Sequence, residues 1–256
     1  MLKSVAIVTG SSSGIGKATA IRLSHDFSAV VLAARSATEL GEVAEQVRAN
    51  GAEPLAIDLD LMALTAAETV VGRTLAKFGR IDALVNIAGA VPGIDLFQMT
   101  DQQWTVGMEL KLHGARRLTL RAWEALKSAK GAVVLMAGNT AEVPTASAAA
   151  IGVINAAIVA LAKTLAGRGL ADNIRVNSVS PGLVMTGRRL SMIEKWASTH
   201  NVSLDEAKQA LLVPAGIARY GEPRDIAELI AFLVSPAAEW MTGTQLRIDG
   251  GEVKSV

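Results

Sequence analysis

Short apolar runs recur along this chain at regular intervals, and between them the apolar positions spread out to a helical period. Residues 4–9, 29–34, 53–57, 82–86, 131–137, 173–179 and 245–248 have the length and the aliphatic content of strands. Helical patterns fill the intervals, at about 15–26, 37–49, 62–78, 101–127, 146–167 and 224–234. Such alternation predicts an α/β fold: a doubly wound parallel sheet of about seven strands with helices on both faces, because parallel strands need crossovers and crossovers are right-handed. Ligands of such sheets bind beyond the carboxyl ends of the strands, where the strand order reverses. Gly10, Asn86, Gly138 and Pro181 fall at or just after strand ends, so their loops should converge on one crevice.

The first strand-to-helix turn carries the clearest chemistry. Val5-Ala6-Ile7-Val8 runs into Thr9-Gly10-Ser11-Ser12-Ser13-Gly14-Ile15-Gly16 and then into a helical pattern. Gly10 permits a tight turn, and Gly14 removes the Cβ that would block a pyrophosphate. Gly16 lets the helix pack on the strand while its first amides face the phosphates. An ordinary turn could show the same glycines, so the weight comes from motifs elsewhere in the chain.

The sequence resembles the short-chain dehydrogenase/reductase family over essentially its whole length. Thr9-Gly10, Gly14 and Gly16 are similar to that family's cofactor loop, and Asn86-Ile87-Ala88-Gly89 to its Asn-Asn-Ala-Gly signature with one substitution. Asp58, in Ala56-Ile57-Asp58-Leu59, sits where members hold the adenine ring. Arg175-Val176-Asn177-Ser178-Val179-Ser180-Pro181-Gly182 resembles the segment that leads to the nicotinamide. Tyr220-Gly221-Glu222-Pro223, Asp225-Ile226-Ala227, Thr242-Gly243 and Asp249-Gly250-Gly251 resemble its C-terminal part. The resemblance implies a Rossmann-type fold formed by residues 1–256 as one dinucleotide-binding domain. It implies a cofactor site made from Gly10, Ser12, Ser13, Gly14, Ile15, Gly16, Arg35, Ser36, Asp58, Leu59, Asn86, Ala88, Gly89, Pro181, Gly182, Val184 and Thr186. Within it, Ile15 reads as packing behind the loop, and Asn86 as bonding the backbone of neighbouring strands.

The end of the second strand bears on the choice of cofactor. A carboxylate there would accept hydrogen bonds from the ribose diol of NAD(H) and repel a 2′-phosphate, whereas this chain offers Ala34, Arg35 and Ser36. NADP(H) is favoured over NAD(H). The alternative for Arg35 is a solvated surface arginine.

The catalytic part of the family pattern is different. Aligned without gaps, the family's Asn, Ser, Tyr and Lys places hold Lys111, Gly138, Ile151 and Asn155, and Tyr220 is the only tyrosine in the chain. Hydride addition to a carbonyl leaves an alkoxide, and a general acid there contributes roughly 10²- to 10⁴-fold. Gly138 and Ile151 supply no donor, yet the cation and the amide have exchanged places. Lys111 and Asn155 are therefore the candidate catalytic residues, with further donors on Asn139, Thr140, Thr145 and Ser147. Alternatively, Lys111 pairs with Glu109 or Glu142, or extends to solvent. Three functions are open: an atypical oxidoreductase acting on a small apolar carbonyl, alcohol or iminium-like substrate; a catalytically silent subunit of a hetero-oligomeric dehydrogenase; or an NADP(H)-binding regulatory protein.

Composition narrows the partners. With 25 basic and 24 acidic residues and a net charge of +1, there is no electrostatic footprint for nucleic acid or an anionic membrane. No apolar run is expected to reach a membrane span, and Met1-Leu2-Lys3 leads straight into a strand, which points to a cytoplasmic protein. Without cysteine, and with His25, His113 and His200 scattered, no metal site is expected. Residues 187–216 correspond to the family's substrate lid, with Met185, Leu190, Met192, Ile193 and Trp196 as a candidate apolar inner surface and Ser203 to Glu206 as a capping box. The small-residue helix 146–165 suits a helical-bundle interface in a homodimer or homotetramer.

Overall fold

The strands at the centre of the sheet are largely apolar because both of their faces are covered. In the computed structural model, which describes residues 4–255, β1 (Val5–Thr9) is buried throughout, and so are β2 (Ala29–Ala34), β4 (Ala83–Asn86) and β5 (Ala132–Met136). With β3 (Glu53–Asp58), β6 (Arg175–Pro181) and β7 (Gln245–Ile248) they form one parallel sheet in the order β3-β2-β1-β4-β5-β6-β7. Met1-Leu2-Lys3 lies outside the described residues.

The strand period of two divides the core into two layers. Val5 and Ile7 face one layer, where they join Val70 and Val71 of α3 (Ala66–Phe78), Leu118 and Trp123 of α5 (Gly114–Ala129), and Ile158 and Ala162 of α6 (Ala149–Asp172). Ala6 and Val8 face the other, with Ala20 and Leu23 of α1 (Gly14–Leu23), Leu40 and Val43 of α2 (Ala37–Ala49), and Ile226 and Ile230 of α9 (Pro223–Val234). The chain winds outward from β1 to β3 and then returns to β4 on the other side of β1, so the order reverses between β1 and β4.

Local chemistry moves several boundaries. The helix expected from residue 62 begins at Ala66, because the Asp60 side chain accepts from the Met62 amide at 2.9 Å and holds a turn there. The pattern at 101–127 is not one α-helix. It is α4 (Asp101–Gly107), a π-helical stretch at Met108–His113, and then α5. Residues 187–216 form α7 (Gly187–His200) and α8 (Leu204–Ala215), and Ser203 and Glu206 close the capping box at the start of α8.

The expectation about membrane-length runs needs correction. Ala146–Asp172 is helical over 27 residues and contains an 18-residue stretch with a mean hydropathy of 1.9, long and apolar enough to cross a membrane by those two measures alone. Packing accounts for one side of this helix: Ile154, Ile158, Ala162, Leu165 and Ala166 are buried in the fold, while Val153 and Leu170 are exposed.

Asp172, at the end of α6, joins that helix to α5. Its carboxylate accepts from Trp123 Nε1, Lys127 Nζ and Arg168 Nε, each at 2.9 Å. The indole N–H first, then the two cations, hold its pKa at about 2, below the ordinary 3.8. A depressed carboxylate stabilises the fold above its unfolded pKa and loses that contribution as pH falls through the folded value. Asp172→Asn should therefore unfold at lower urea than the parent at pH 6, and the gap should narrow from about pH 4 downward. A gap independent of pH would show that the role of Asp172 is steric.

Candidate functional site

The glycine loop takes its shape from contacts on both sides. Gly10 and Gly14 have φ of 65° and 52°, the left-handed region that side chains disfavour. Buried Thr9 pins the neighbouring strand end, its Oγ1 accepting from the amides of Ile87 and Ala88 at 3.0 and 3.1 Å. Because α1 starts at Gly14, its free amides open onto a cleft of about 800 Å³ above the reversal between β1 and β4. That volume is in the range of cofactor and ligand sites.

The structure brings together on this cleft Gly10, Ser12, Ser13, Gly14, Ile15, Gly16, Arg35, Ser36, Leu59, Ala88, Gly89, Lys111 and Thr186. Several expected residues do not line it. Asp58 ends β3 opposite Ala34 in the register, and the following Leu59, Asp60 and Leu61 reach the cleft instead. Asn86 is buried and donates from Nδ2 to Thr119 Oγ1 on α5 at 3.2 Å, so it bonds a helix side chain and not the backbone of neighbouring strands. Pro181, Gly182 and Val184 support the wall: the Gly182 amide donates to Ile248 at 3.1 Å, and Val184 bridges to Gly221. Thr186 completes that edge by capping α7, its Oγ1 accepting from the Arg189 amide at 3.2 Å. Ile15 packs with the α1 layer as expected while also touching the cleft.

Sequence reasoning missed Glu39, Asp60, Leu61, Ile87, Ala90, Leu110, Met136, Gly187 and Arg188, which also line the cleft. Most flank a recognised motif by one residue, and a wider reading of each motif would have found them. Ser11 was missed as a buried group: its hydroxyl, inside the glycine loop, has no hydrogen-bond partner among the described residues.

At the β5 end Lys111 and Asn155 meet. Lys111 Nζ donates to the Ala137 carbonyl at 2.9 Å and to Asn155 Oδ1 at 2.5 Å, and Asn155 Nδ2 donates to Thr140 Oγ1 at 2.8 Å. The π-helical stretch that carries Lys111 is a common feature of functional sites. Burial first, and then the Arg188 charge, push the Lys111 ammonium down to about 8 from 10.5. Neither expected carboxylate partner is used: Glu109 pairs with Arg117 at 3.0 Å, and Glu142 pairs with Arg247 at 2.5 Å.

Gly138 is fitted to this arrangement. A Cβ on it would lie 2.6 Å from Asn155 Nδ2, so the amide occupies the space a side chain at 138 would need. Ile151 packs instead with Val91, Ala150 and Ile154 under the loop that follows β4. Neither Gly138, Ile151 nor Asn155 lines the cleft itself.

Tyr220 takes no part. Its hydroxyl donates to the Lys208 carbonyl at 2.9 Å, and its ring packs beside Ile193, Ala197, Ala207, Met185 and Trp196. The apolar residues expected to face a substrate are therefore largely spent on holding α7 to α8, with Met192 half exposed to solvent.

Comparison with known proteins agrees with this fold. A family model described as Enoyl-(Acyl carrier protein) reductase matches residues 10–252. The 3-oxoacyl-[acyl-carrier-protein] reductase of Synechocystis sp. is 32% identical over 97% of this chain and 96% of its own. A putative ketoacyl reductase of Streptomyces coelicolor is 30% identical over 96% of each. Among solved structures, L-sorbose reductase from Gluconobacter frateurii, complexed with NADPH and L-sorbose, superposes with a TM-score of 0.95 at 29% identity, covering 100% of this chain and 98% of that one. An actinorhodin polyketide ketoreductase variant with NADPH gives 0.92 at 30% identity, covering 98% and 97%. The chain belongs to the family that this model describes, within the short-chain dehydrogenases/reductases.

Proposed function

We propose that this chain is an NADP(H)-binding oxidoreductase scaffold whose own hydride-transfer activity is atypical or absent. The observation that carries the reading is the Lys111–Asn155 contact; the ungapped match to the family pattern supports it by setting Gly138 and Ile151 against that pattern's serine and tyrosine. The cleft suits the cofactor: open helix amides, a loop without Cβ at Gly10, Gly14 and Gly16, and the buried unpaired hydroxyl of Ser11. Gly10, Ser12, Ser13, Gly14 and Gly16 would hold the pyrophosphate, Ala88, Gly89 and Thr186 the middle and nicotinamide end, and Leu59 the adenine. Structural relatives bound to NADPH support the choice of cofactor.

A bound nicotinamide would supply the hydride, and the chain's own residues must position the acceptor and deliver the proton. An ammonium has three donors, of which Lys111 has committed two. The third is the polar group left for a nascent oxyanion at this edge. Such a donor is charged below about pH 8 and neutral above it. Reduction that depends on Lys111 should thus fall as pH rises through about 8, and Lys111→Met should remove that dependence along with the rate. A profile flat from pH 6 to 9 would exclude Lys111 as the acid.

Arg35 is exposed at the opposite end of the cleft beside Ser36, with no carboxylate partner among the described residues. It would contact the 2′-phosphate. Arg35→Asp should weaken NADPH by about tenfold, ~1.5 kcal/mol for an exposed charge-assisted bond, and leave NADH nearly unchanged. Equal loss for both would make Arg35 a surface residue.

The half-bare apolar side of α6, with Val153 and Leu170 exposed, supports assembly into a homodimer or homotetramer, or with an active relative. Helices α7 and α8 would act as the lid. One experiment tests the whole reading: cofactor titration of the purified chain with turnover and molar mass measured together. Tight NADPH binding with little ketone reduction supports it; absence of NADPH binding overturns it.

A further inference from the structure

We propose that Arg188 and Lys111 together bind a carboxylate carried by the substrate beside its reacting carbonyl, so that the substrate class is an anionic oxo compound with an apolar body. The proposal rests on the functional reading that the cleft takes a nicotinamide cofactor and a carbonyl compound.

Both side chains line the cleft, Lys111 from the π-helical stretch and Arg188 from the first turn of α7. Neither has a carboxylate partner among the described residues. Glu109 and Glu142 are taken by Arg117 and Arg247. The acidic side chains that do reach the cleft, Glu39 in the first turn of α2 and Asp60 just beyond β3, belong to the Arg35 end, across the sheet from Lys111. Arg189, next to Arg188, is within electrostatic reach of Glu252 and Tyr220, so it is the better compensated of the two arginines.

Donor counting points the same way. Lys111 keeps one N–H after bonding Ala137 and Asn155, and that donor serves the reacting oxygen, so what Lys111 offers the neighbouring carboxylate is its charge. Arg188 gives Nη2 to the Val91 carbonyl at 2.7 Å, which fixes its guanidinium over the loop after β4 and leaves most of its five donors unspent. Ala90, Leu110 and Met136 line the same cleft as the two cations and give it apolar surface.

The arrangement is unfavourable when empty. Two like charges share a partly desolvated cleft, and the Arg188 charge is one cause of the lowered Lys111 pKa. Arg188 also sits in the first turn of a 14-residue helix that has no acidic residue there, where the macrodipole disfavours cations. An anion between the two would relieve both. A carboxylate matches the guanidinium fork, with the ammonium as a point charge on its flank.

The test uses the whole protein saturated with NADP⁺, which cannot reduce a ketone. It is titrated calorimetrically at pH 7 with 2-oxooctanoate, methyl 2-oxooctanoate and 2-octanone. The acid is expected to bind at least about tenfold tighter than the ester or the ketone, the effect of one charge-assisted contact. Arg188→Met should remove most of that preference, Arg188→Lys should retain part of it, and NADP⁺ affinity should move by less than about twofold in either. Equal binding of acid and ester by the parent, or a preference untouched by Arg188→Met, overturns the proposal. Loss of NADP⁺ affinity in step with loss of acid affinity also overturns it, because the anion held is then a cofactor phosphate. Failure of the parent to bind NADP⁺ removes the cofactor reading first and this proposal with it.

Discussion

Combining Gly138→Ser, Ile151→Tyr, Asn155→Lys and Lys111→Asn should raise NADPH-dependent carbonyl reduction by on the order of 10²- to 10⁴-fold, the contribution of a positioned general acid. The single changes should achieve far less, for a reason visible at Gly138. A serine Cβ there would lie 2.6 Å from Asn155 Nδ2, so Gly138→Ser alone forces the amide out of its bonds to Lys111 and Thr140. Asn155→Lys alone puts a second cation against Lys111. Ile151→Tyr alone adds a hydroxyl into a cluster with Val91, Ala150 and Ile154 and leaves an amide, Asn155, one turn further along α6 where the family pattern has a cation. Residues that act as a unit are strongly non-additive, and a side chain at 138 also competes with Asn155 for the same space. The check is steady-state reduction of a ketone panel by the parent, the four single variants and the combination, each shown to bind NADPH. Rapid ketone reduction by the parent, unchanged in Lys111→Ala, would mean that another donor has been overlooked.

The sheet was legible in the sequence because an inner parallel strand is buried on two faces and cannot hide its aliphatic run, as Val5–Thr9 and Ala29–Ala34 show. Helix ends were less legible. The start of α3 depends on one Asp60 side-chain bond, and the break at Met108–His113 leaves the apolar period nearly intact. At the site, the sequence left open whether Lys111 pairs with a carboxylate, extends to solvent or works with Asn155, and the two side chains meet at 2.5 Å. It could not indicate that Asn155 fills the space over Gly138, since that is a property of two backbones brought together by β5 and α6. Arg188 stayed hidden because a run of two arginines after a capping threonine looks like an exposed helix start. Only its contact with Val91, 97 residues away in the chain, places it over the cleft.

Gly16→Ala should abolish NADPH binding while Gly72→Ala leaves it intact. Gly16 has no left-handed φ, so alanine meets no backbone conformational penalty there, and helix propensity alone would favour it. The obstacle is steric. A Cβ on Gly16 would lie 2.0 Å from the Gly10 carbonyl oxygen, 2.6 Å from its carbon and 3.1 Å from the Ser11 amide nitrogen, all backbone atoms that no rotamer change can move. To admit the methyl group, α1 must draw away from the end of β1, and the loop whose amides open onto the cleft must spread. Overpacking of this kind costs about 1–3 kcal/mol in stability. The loss in cofactor affinity should be larger, at least about a hundredfold, because several amides must converge on one pyrophosphate. Gly72, inside α3 with nothing within 4 Å of its added Cβ, is the matched control. Its alanine variant should gain about 0.5–1 kcal/mol of stability and keep its NADPH affinity. Fluorescence titration with NADPH and urea unfolding of both variants separate the two effects. Unaltered NADPH affinity in folded Gly16→Ala would show that the glycine loop is not where the cofactor binds.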